Sequence, residues 1–124
     1  MQGHVYFGNY FVFCDEALGA YMRAIGMPWQ DMVKSGTDMF YVNASCDYLG
    51  SAKFEEDVHI ETRISKLGSS SVTSAFVIRN SRGDALANAS VTSVCVDPKT
   101  REKVRVPHPL REAVAAFEEG RGDV

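Results

Sequence analysis

The chain has 124 residues, 13 Lys+Arg against 16 Asp+Glu, and a formal charge of −3. Hydrophobic residues make up 45% and charged residues 23%, so the chain is neither polar nor charged enough to stay disordered. A length of this order fits one domain that buries roughly two-thirds of its unfolded surface, and the absence of a basic block argues against a dedicated nucleic-acid binder.

The three cysteines, Cys14, Cys46 and Cys95, form no C-x-x-C pair. They read as reduced, mostly buried thiols of a cytoplasmic protein. No stretch has the character of a signal peptide or of the ~18 apolar residues of a membrane span. The sequons at Asn43 and Asn88 therefore read as chance matches.

In chain order, the first element is a helix over 8–25. Tyr10, Cys14, Ala17, Tyr21 and Ile25 recur at helical spacing, and Phe13 and Leu18 widen the stripe. Gly26 suits its C-terminal cap and Pro28 stops it. So broad an apolar face calls for a broad partner, such as a sheet. After Gly36 the period changes to two. Phe40, Val42, Ala44, Cys46 and Tyr48 alternate with Asn43, Ser45 and Asp47 in a first strand. Val58, Ile60, Thr62 and Ile64 alternate with His59, Glu61, Arg63 and Ser65 in a second. A turn at Leu67-Gly68-Ser69-Ser70 leads to a third strand marked by Val72, Phe76 and Ile78. Asn80-Ser81-Arg82-Gly83-Asp84 is a hairpin turn, and 85–96 a fourth strand. The apolar parity of that strand shifts between Val91 and Val94, which predicts a bulge or burial on both faces. A turn at Asp97-Pro98-Lys99-Thr100 precedes a short final strand at Val104-Arg105-Val106. Leu110, Val114 and Phe117 mark a brief C-terminal helix, and 120–124 a loose tail.

One long helix followed by consecutive antiparallel strands is an α+β arrangement, with the helix packed on one sheet face. The other face is expected to carry Met39, Tyr41 and Val77, which a second copy of the chain would cover.

The segment Gly3-His4-Val5-Tyr6-Phe7-Gly8-Asn9-Tyr10, followed by Phe13-Cys14-Asp15-Glu16-Ala17, resembles the opening of the hotdog-fold acyl-CoA thioesterases, in particular the 4-hydroxybenzoyl-CoA thioesterase group. Asp47-Tyr48-Leu49, the run from Lys66 to Ser71, Gly83 with Ala87 and Ala89, Val94-Cys95-Val96-Asp97 and Val106-Pro107 match in the same order. The resemblance implies a curled antiparallel sheet around a central helix, subunits that pair their sheets as homodimers or homotetramers, and sites at the interface. It also implies hydrolysis of an acyl-CoA thioester without a metal or organic cofactor. In one place the chain departs from the pattern. The family's key carboxylate is an Asp three residues before the Gly that matches Gly3. That position, and the fold's first strand, would fall upstream of Met1.

Thioester hydrolysis needs an activated water or a carboxylate, and donors for the carbonyl oxygen as it gains charge. The resemblance assigns the donors to the backbone N–H of Phe7, helped by Gly8, where a helix start has unpaired amides and the positive end of its dipole. His4 stands beside them as a group to orient water or the acyl moiety, or as a packed histidine holding the Gly3 turn. Asp15 is the remaining acid nearest the motif. It reads as a carboxylate near the dimer cleft, as a base taken from the helix, or as a solvated surface acid. Lys66, Ser69 and Ser70 suit the phosphates and pantetheine of CoA. Arg79, Arg82 and Lys99 are further phosphate candidates, each equally explained as a solvated charge. Met22, Met27, Trp29, Met32 and Phe40 are candidates for an acyl pocket or plain core. The histidines lack metal-ligand spacing, and no G-x-S-x-G or phosphate-binding glycine loop occurs. A non-catalytic acyl-CoA-binding sensor or assembly module is the rival reading.

Overall fold

The computed structural model describes residues 7–50 and 57–122. Helix α1 is Phe7–Ala24, α2 is Trp29–Lys34, strands β1 to β4 are Asp38–Tyr48, Val58–Leu67, Ser71–Asn80 and Ala85–Val96, and α3 is His108–Gly122. The strands form one antiparallel sheet in the order β1-β4-β3-β2, with β1 and β2 at its edges among the described residues.

Of the helical stripe, Cys14, Leu18 and Tyr21 are buried against the sheet and Phe13, Ala17 and Ile25 half-buried, while the side chain of Tyr10 lies outside the described residues; Met22, which is not part of the stripe, is buried as well. Gly26, at φ +80, ends the helix, and the Met27 N–H donates back to the Met22 carbonyl at 2.8 Å. Pro28 then opens α2, a helix that sequence periodicity did not announce because it is only six residues long.

Strict alternation sets the inner face. On β3, Val72, Ser74, Phe76, Ile78 and Asn80 are buried; on β4 their neighbours are Ala87, Ala89, Val91, Ser93 and Cys95. The apolar residues fall into two clusters. Tyr21, Met22 and Met32 pack on Ile64, Val72 and Cys95 at the carboxyl end of α1, and Leu110 and Val114 of α3 join them there. Cys14 and Leu18 pack on Phe76, Ile78, Ala87, Ala89 and Val91 nearer its amino end.

Several expectations are corrected. β4 keeps its parity, because Ser93 fills the inner position between Val91 and Cys95. The irregularity lies opposite, in β1, where Val42 is the extra residue between Tyr41 and Asn43. That bulge reverses the strand's parity. Met39 and Tyr41 therefore share the helix-bearing face with Ala44 and Cys46, and are not on the far face. Phe40 goes to the far face, where Arg101 stacks over its ring at 5.1 Å. Val104 to Val106 make no strand. A single bridge links Val96 to Lys103, and the segment crosses the sheet end through Val104 N–H to the Cys95 carbonyl and Val106 N–H to that of Ser69. The C-terminal helix also runs further than expected, taking in Gly120 and Gly122.

Glu118 of α3 ties the carboxyl end of the molecule to the β2 edge. Its carboxylate accepts from the Tyr21 hydroxyl at 2.5 Å and from the Ile64 N–H at 3.2 Å, beside the β2 irregularity at Ser65. Phe117 packs edge-on against the Tyr21 ring, 5.1 Å between centroids. Glu118→Ala removes the acceptor for both donors and should cost about 1–3 kcal/mol, read as a lower urea midpoint at unchanged m.

Candidate active site

The β1 bulge positions the site. Because Val42 is extra, Tyr41 and Ala44 both face α1 although they are three residues apart. Together with Asp15 they rim a cavity of about 140 Å³ whose floor is Cys14, Leu18, Phe76 and Val91. The floor residues are buried; Asp15, Tyr41 and Ala44 are exposed. The Tyr41 hydroxyl donates a hydrogen bond to the Asp15 carboxylate across the mouth. Burial first, then the bond and charge of Asp15, push the Tyr41 phenol above its ordinary value, so it remains a donor at any physiological pH.

Burial also pushes the Cys14 thiol up to about 12 from 9.0, with Cys46 adding to it. Cys95 rises to about 11, again through burial, with Arg111 opposing. A raised thiol holds its proton more tightly when folded. Its stabilisation is therefore complete below the unfolded value and is lost as pH rises through the folded one. The urea midpoint should fall between pH 9.0 and about 12, and Cys14→Ala should lessen that fall.

Phe7 and Gly8 open α1, and the first turn of the helix carries no acidic residue. Gly8 lies seven residues from Asp15, about 10 Å along the axis at 1.5 Å per residue. His4 lies outside the described residues.

Lys66, Ser69 and Ser70 stand at the opposite end of the protomer. They adjoin Val72, which packs near Tyr21 and Met22, whereas the tip lies toward Cys14 and its neighbours Ile78 and Ala87. Lys66 is exposed on the far face of β2. The Ser69 carbonyl accepts from Val106 N–H at 2.8 Å, the Ser70 carbonyl from Cys95 N–H at 2.8 Å, and Arg111 donates to the Gly68 carbonyl. One protomer thus does not bring this turn to its own helix tip. The β3–β4 hairpin with Arg79 and Arg82 is at the tip's end instead. Arg79 is paired with Glu61, and Arg82 lies 3.5 Å from Asp84. Met22 and Met32 belong to the core, and Phe40 to the far face, so none of the three lines the cavity. Sequence reasoning missed Tyr41, Ala44, Phe76 and Val91 as a cavity. The only available signal was the apolar run Met39-Phe40-Tyr41-Val42, in which both parities of the strand are apolar. Among the described residues no cluster of His, Cys, Asp or Glu could hold a metal, and no helix is long and apolar enough to cross a membrane.

A long helix lying on one face of an antiparallel sheet, with an apolar cavity beneath it, is a hotdog-type fold. Residues 2–87 match the family model described as the thioesterase superfamily, and the chain belongs to that family. A protein of Aquifex aeolicus (strain VF5), named only provisionally as an esterase, is 26% identical over 77 residues, which are 62% of this chain and 60% of the relative. The chain thus spans under two-thirds of that relative's length. A DHNA-CoA thioesterase from Staphylococcus aureus has the same fold, with a TM-score of 0.86 at 22% identity over 98% of this chain and 83% of that one. A second Staphylococcus aureus protein, solved in complex with CoA, gives 0.87 at 12% identity over 96% of this chain and 75% of its own.

Proposed function

We propose that the protein hydrolyses an acyl-CoA thioester to the free acid and CoA as a homo-oligomer. The observation that carries this reading is the α1 tip, free of acidic side chains, on the same helix that roofs an apolar cavity with a carboxylate at its mouth. The amides of Phe7 and Gly8 take the carbonyl oxygen as it becomes an oxyanion, a contribution of about 3–4 kcal/mol to the barrier. A carboxylate-activated water attacks the carbonyl carbon, the tetrahedral intermediate collapses, and the thiolate of CoA leaves and takes a proton. His4 is placed by the motif to orient the water or the acyl group. No metal or organic cofactor is called for.

The β1 edge supports the dimer. It is eleven residues long, and Phe40, Tyr41, Val42, Tyr48 and Leu49 on and beside it are exposed apolar groups. Such an edge invites a partner strand. Pairing two β1 edges antiparallel about their midpoint, near Asn43, makes an isologous dimer and sets the two α1 helices antiparallel. The tip end of one protomer then adjoins the Lys66–Ser69–Ser70 end of the other, which reunites groups that one protomer holds apart. The same arrangement carries Asp15, about 10 Å from its own tip, toward the tip of the partner's helix. There its carboxylate can hold the attacking water.

Thiol release from a panel of acyl-CoA esters, together with light scattering, tests this reading. Turnover by a particle larger than 13.7 kDa is expected. Measurable CoA-ester binding with no release for any acyl group would leave a non-catalytic binding module, and a stable monomer would remove the shared site.

A further inference from the structure

We propose that the segment from Lys99 to Arg105 is a docking row for an anionic lipid surface. Four cations, Lys99, Arg101, Lys103 and Arg105, and one acid, Glu102, fall within it, a local charge of +3 in a chain of −3. All five are exposed. Val104 is half-buried and Val106 buried, so from 103 onward the alternation sends apolar groups inward and cations outward. Among the described residues none of the four cations stands in an ion pair, whereas Arg63, Arg79 and Arg82 all do. The backbone beneath them is held at four points. The Arg101 N–H donates to the Asp97 carbonyl at 2.8 Å, and the Asp97 N–H to the Glu102 carbonyl at 2.9 Å. The Val104 N–H reaches the Cys95 carbonyl at 2.9 Å, and the Val106 N–H that of Ser69 at 2.8 Å. A row fixed before it binds has less ordering entropy to lose.

The row crosses the sheet end opposite the α1 tip, and Arg101 reaches the far face. Its guanidinium lies 5.1 Å from the centroid of Phe40, and Lys66 stands exposed on the same face of β2 at that end. Phe40 is itself 36% exposed, so cations and a partly open ring share one surface, as at a membrane interface. The carboxylates at this end are Asp38, Asp97 and Glu102, and that of Asp97 accepts from the N–H groups of Lys99 and Thr100. Acids further off than about 10 Å are screened at 0.1 M salt. Dimer geometry selects a broad partner. Two β1 edges paired antiparallel about Asn43 have their two-fold axis perpendicular to the sheet, so both far faces look the same way. Phe40 is three residues from Asn43, which sets the two Phe40–Arg101 stacks about 20 Å apart along the strands. A headgroup surface offers negative charge across that whole span. The pairing of two patches rests on the dimer proposed above; each patch belongs to one protomer and does not.

The test is sedimentation of the whole chain with extruded vesicles, of phosphatidylcholine alone and of phosphatidylcholine mixed with phosphatidylglycerol. Binding to the mixed vesicles only, weakened steeply by salt, is expected. Lys103→Gln and Arg105→Gln should each lower the partition about five-fold, and together about twenty-five-fold. Glu102→Gln should raise it about five-fold, a gain that a damaged fold would not give. Turnover of a soluble CoA ester by these variants should match the parent's, which separates the patch from the thioesterase reading. If no ester is cleaved, that reading fails by itself and the vesicles still decide the patch. No binding to the mixed vesicles, equal binding to neutral ones, or variants that sediment as the parent does overturns the proposal. Capture by polyglutamate or by a single-stranded oligonucleotide without vesicle binding also overturns it, giving the row to an acidic protein or to nucleic acid. Release from the vesicles by free CoA, but not by salt of matched ionic strength, overturns it too and gives the cations to the substrate.

Discussion

Phe76→Ala should destabilise the protein by about 3–5 kcal/mol, near the upper end of that range. Phe76 is 2% exposed and belongs to the cluster that joins Cys14 and Leu18 of α1 to β3 and β4. Truncating a buried ring removes its transfer energy and leaves a void, whose cost depends on how far the neighbours close in. Here they cannot close in freely, because the ring already borders a cavity of about 140 Å³, and the two spaces would merge. Domains of this size have only about 5–15 kcal/mol in all. A urea titration should therefore show a much lower midpoint, or a chain largely unfolded in buffer. Phe76→Leu keeps most of the volume and should remain folded, which permits the comparison. A loss below about 1 kcal/mol in Phe76→Ala would mean that the helix sinks onto the sheet, and the cavity described here would not be a stable feature.

Much of the architecture was legible from period alone, and the exceptions have physical causes. The α1 stripe and the inner faces of β3 and β4 follow strict spacing, because each packs against a continuous partner. β1 does not, since a single inserted residue, Val42, exchanges its faces. Alternation cannot reveal which residue is extra, so the period puts Met39 and Tyr41 on the far face and Phe40 on the helix side, the reverse of the observed order. α2 is shorter than two turns and has no period to detect. Val104 and Val106 look like a strand, yet Arg101, at φ 67, ends the preceding turn, and their amides go to Cys95 and Ser69 at the sheet end. For the site, the motif located the helix tip and Asp15 on one helix. It could not place Lys66, Ser69 and Ser70 relative to them. Their position depends on which end of α1 the β2–β3 turn packs against, a tertiary fact with no local signature.

Asp15→Asn should lower kcat by about 10²-fold or more and change KM little. Removing a general base has effects of that order, and a loss confined to kcat marks an interaction made in the transition state rather than in substrate binding. The substitution is nearly isosteric. The amide oxygen of asparagine can still accept from Tyr41, so the rim keeps its shape while the charge is lost. An exposed pair of this kind contributes little to stability, so unfolding midpoints should stay near the parent's. Tyr41→Phe separates positioning from chemistry. It leaves the carboxylate but frees it from its donor, and a several-fold drop in kcat is expected, well short of the Asp15→Asn loss. The order of the two effects is the informative result. If Tyr41→Phe costs as much as Asp15→Asn, the pair acts as a unit that shapes the mouth. If Asp15→Asn leaves kcat intact, the water is activated by some other group.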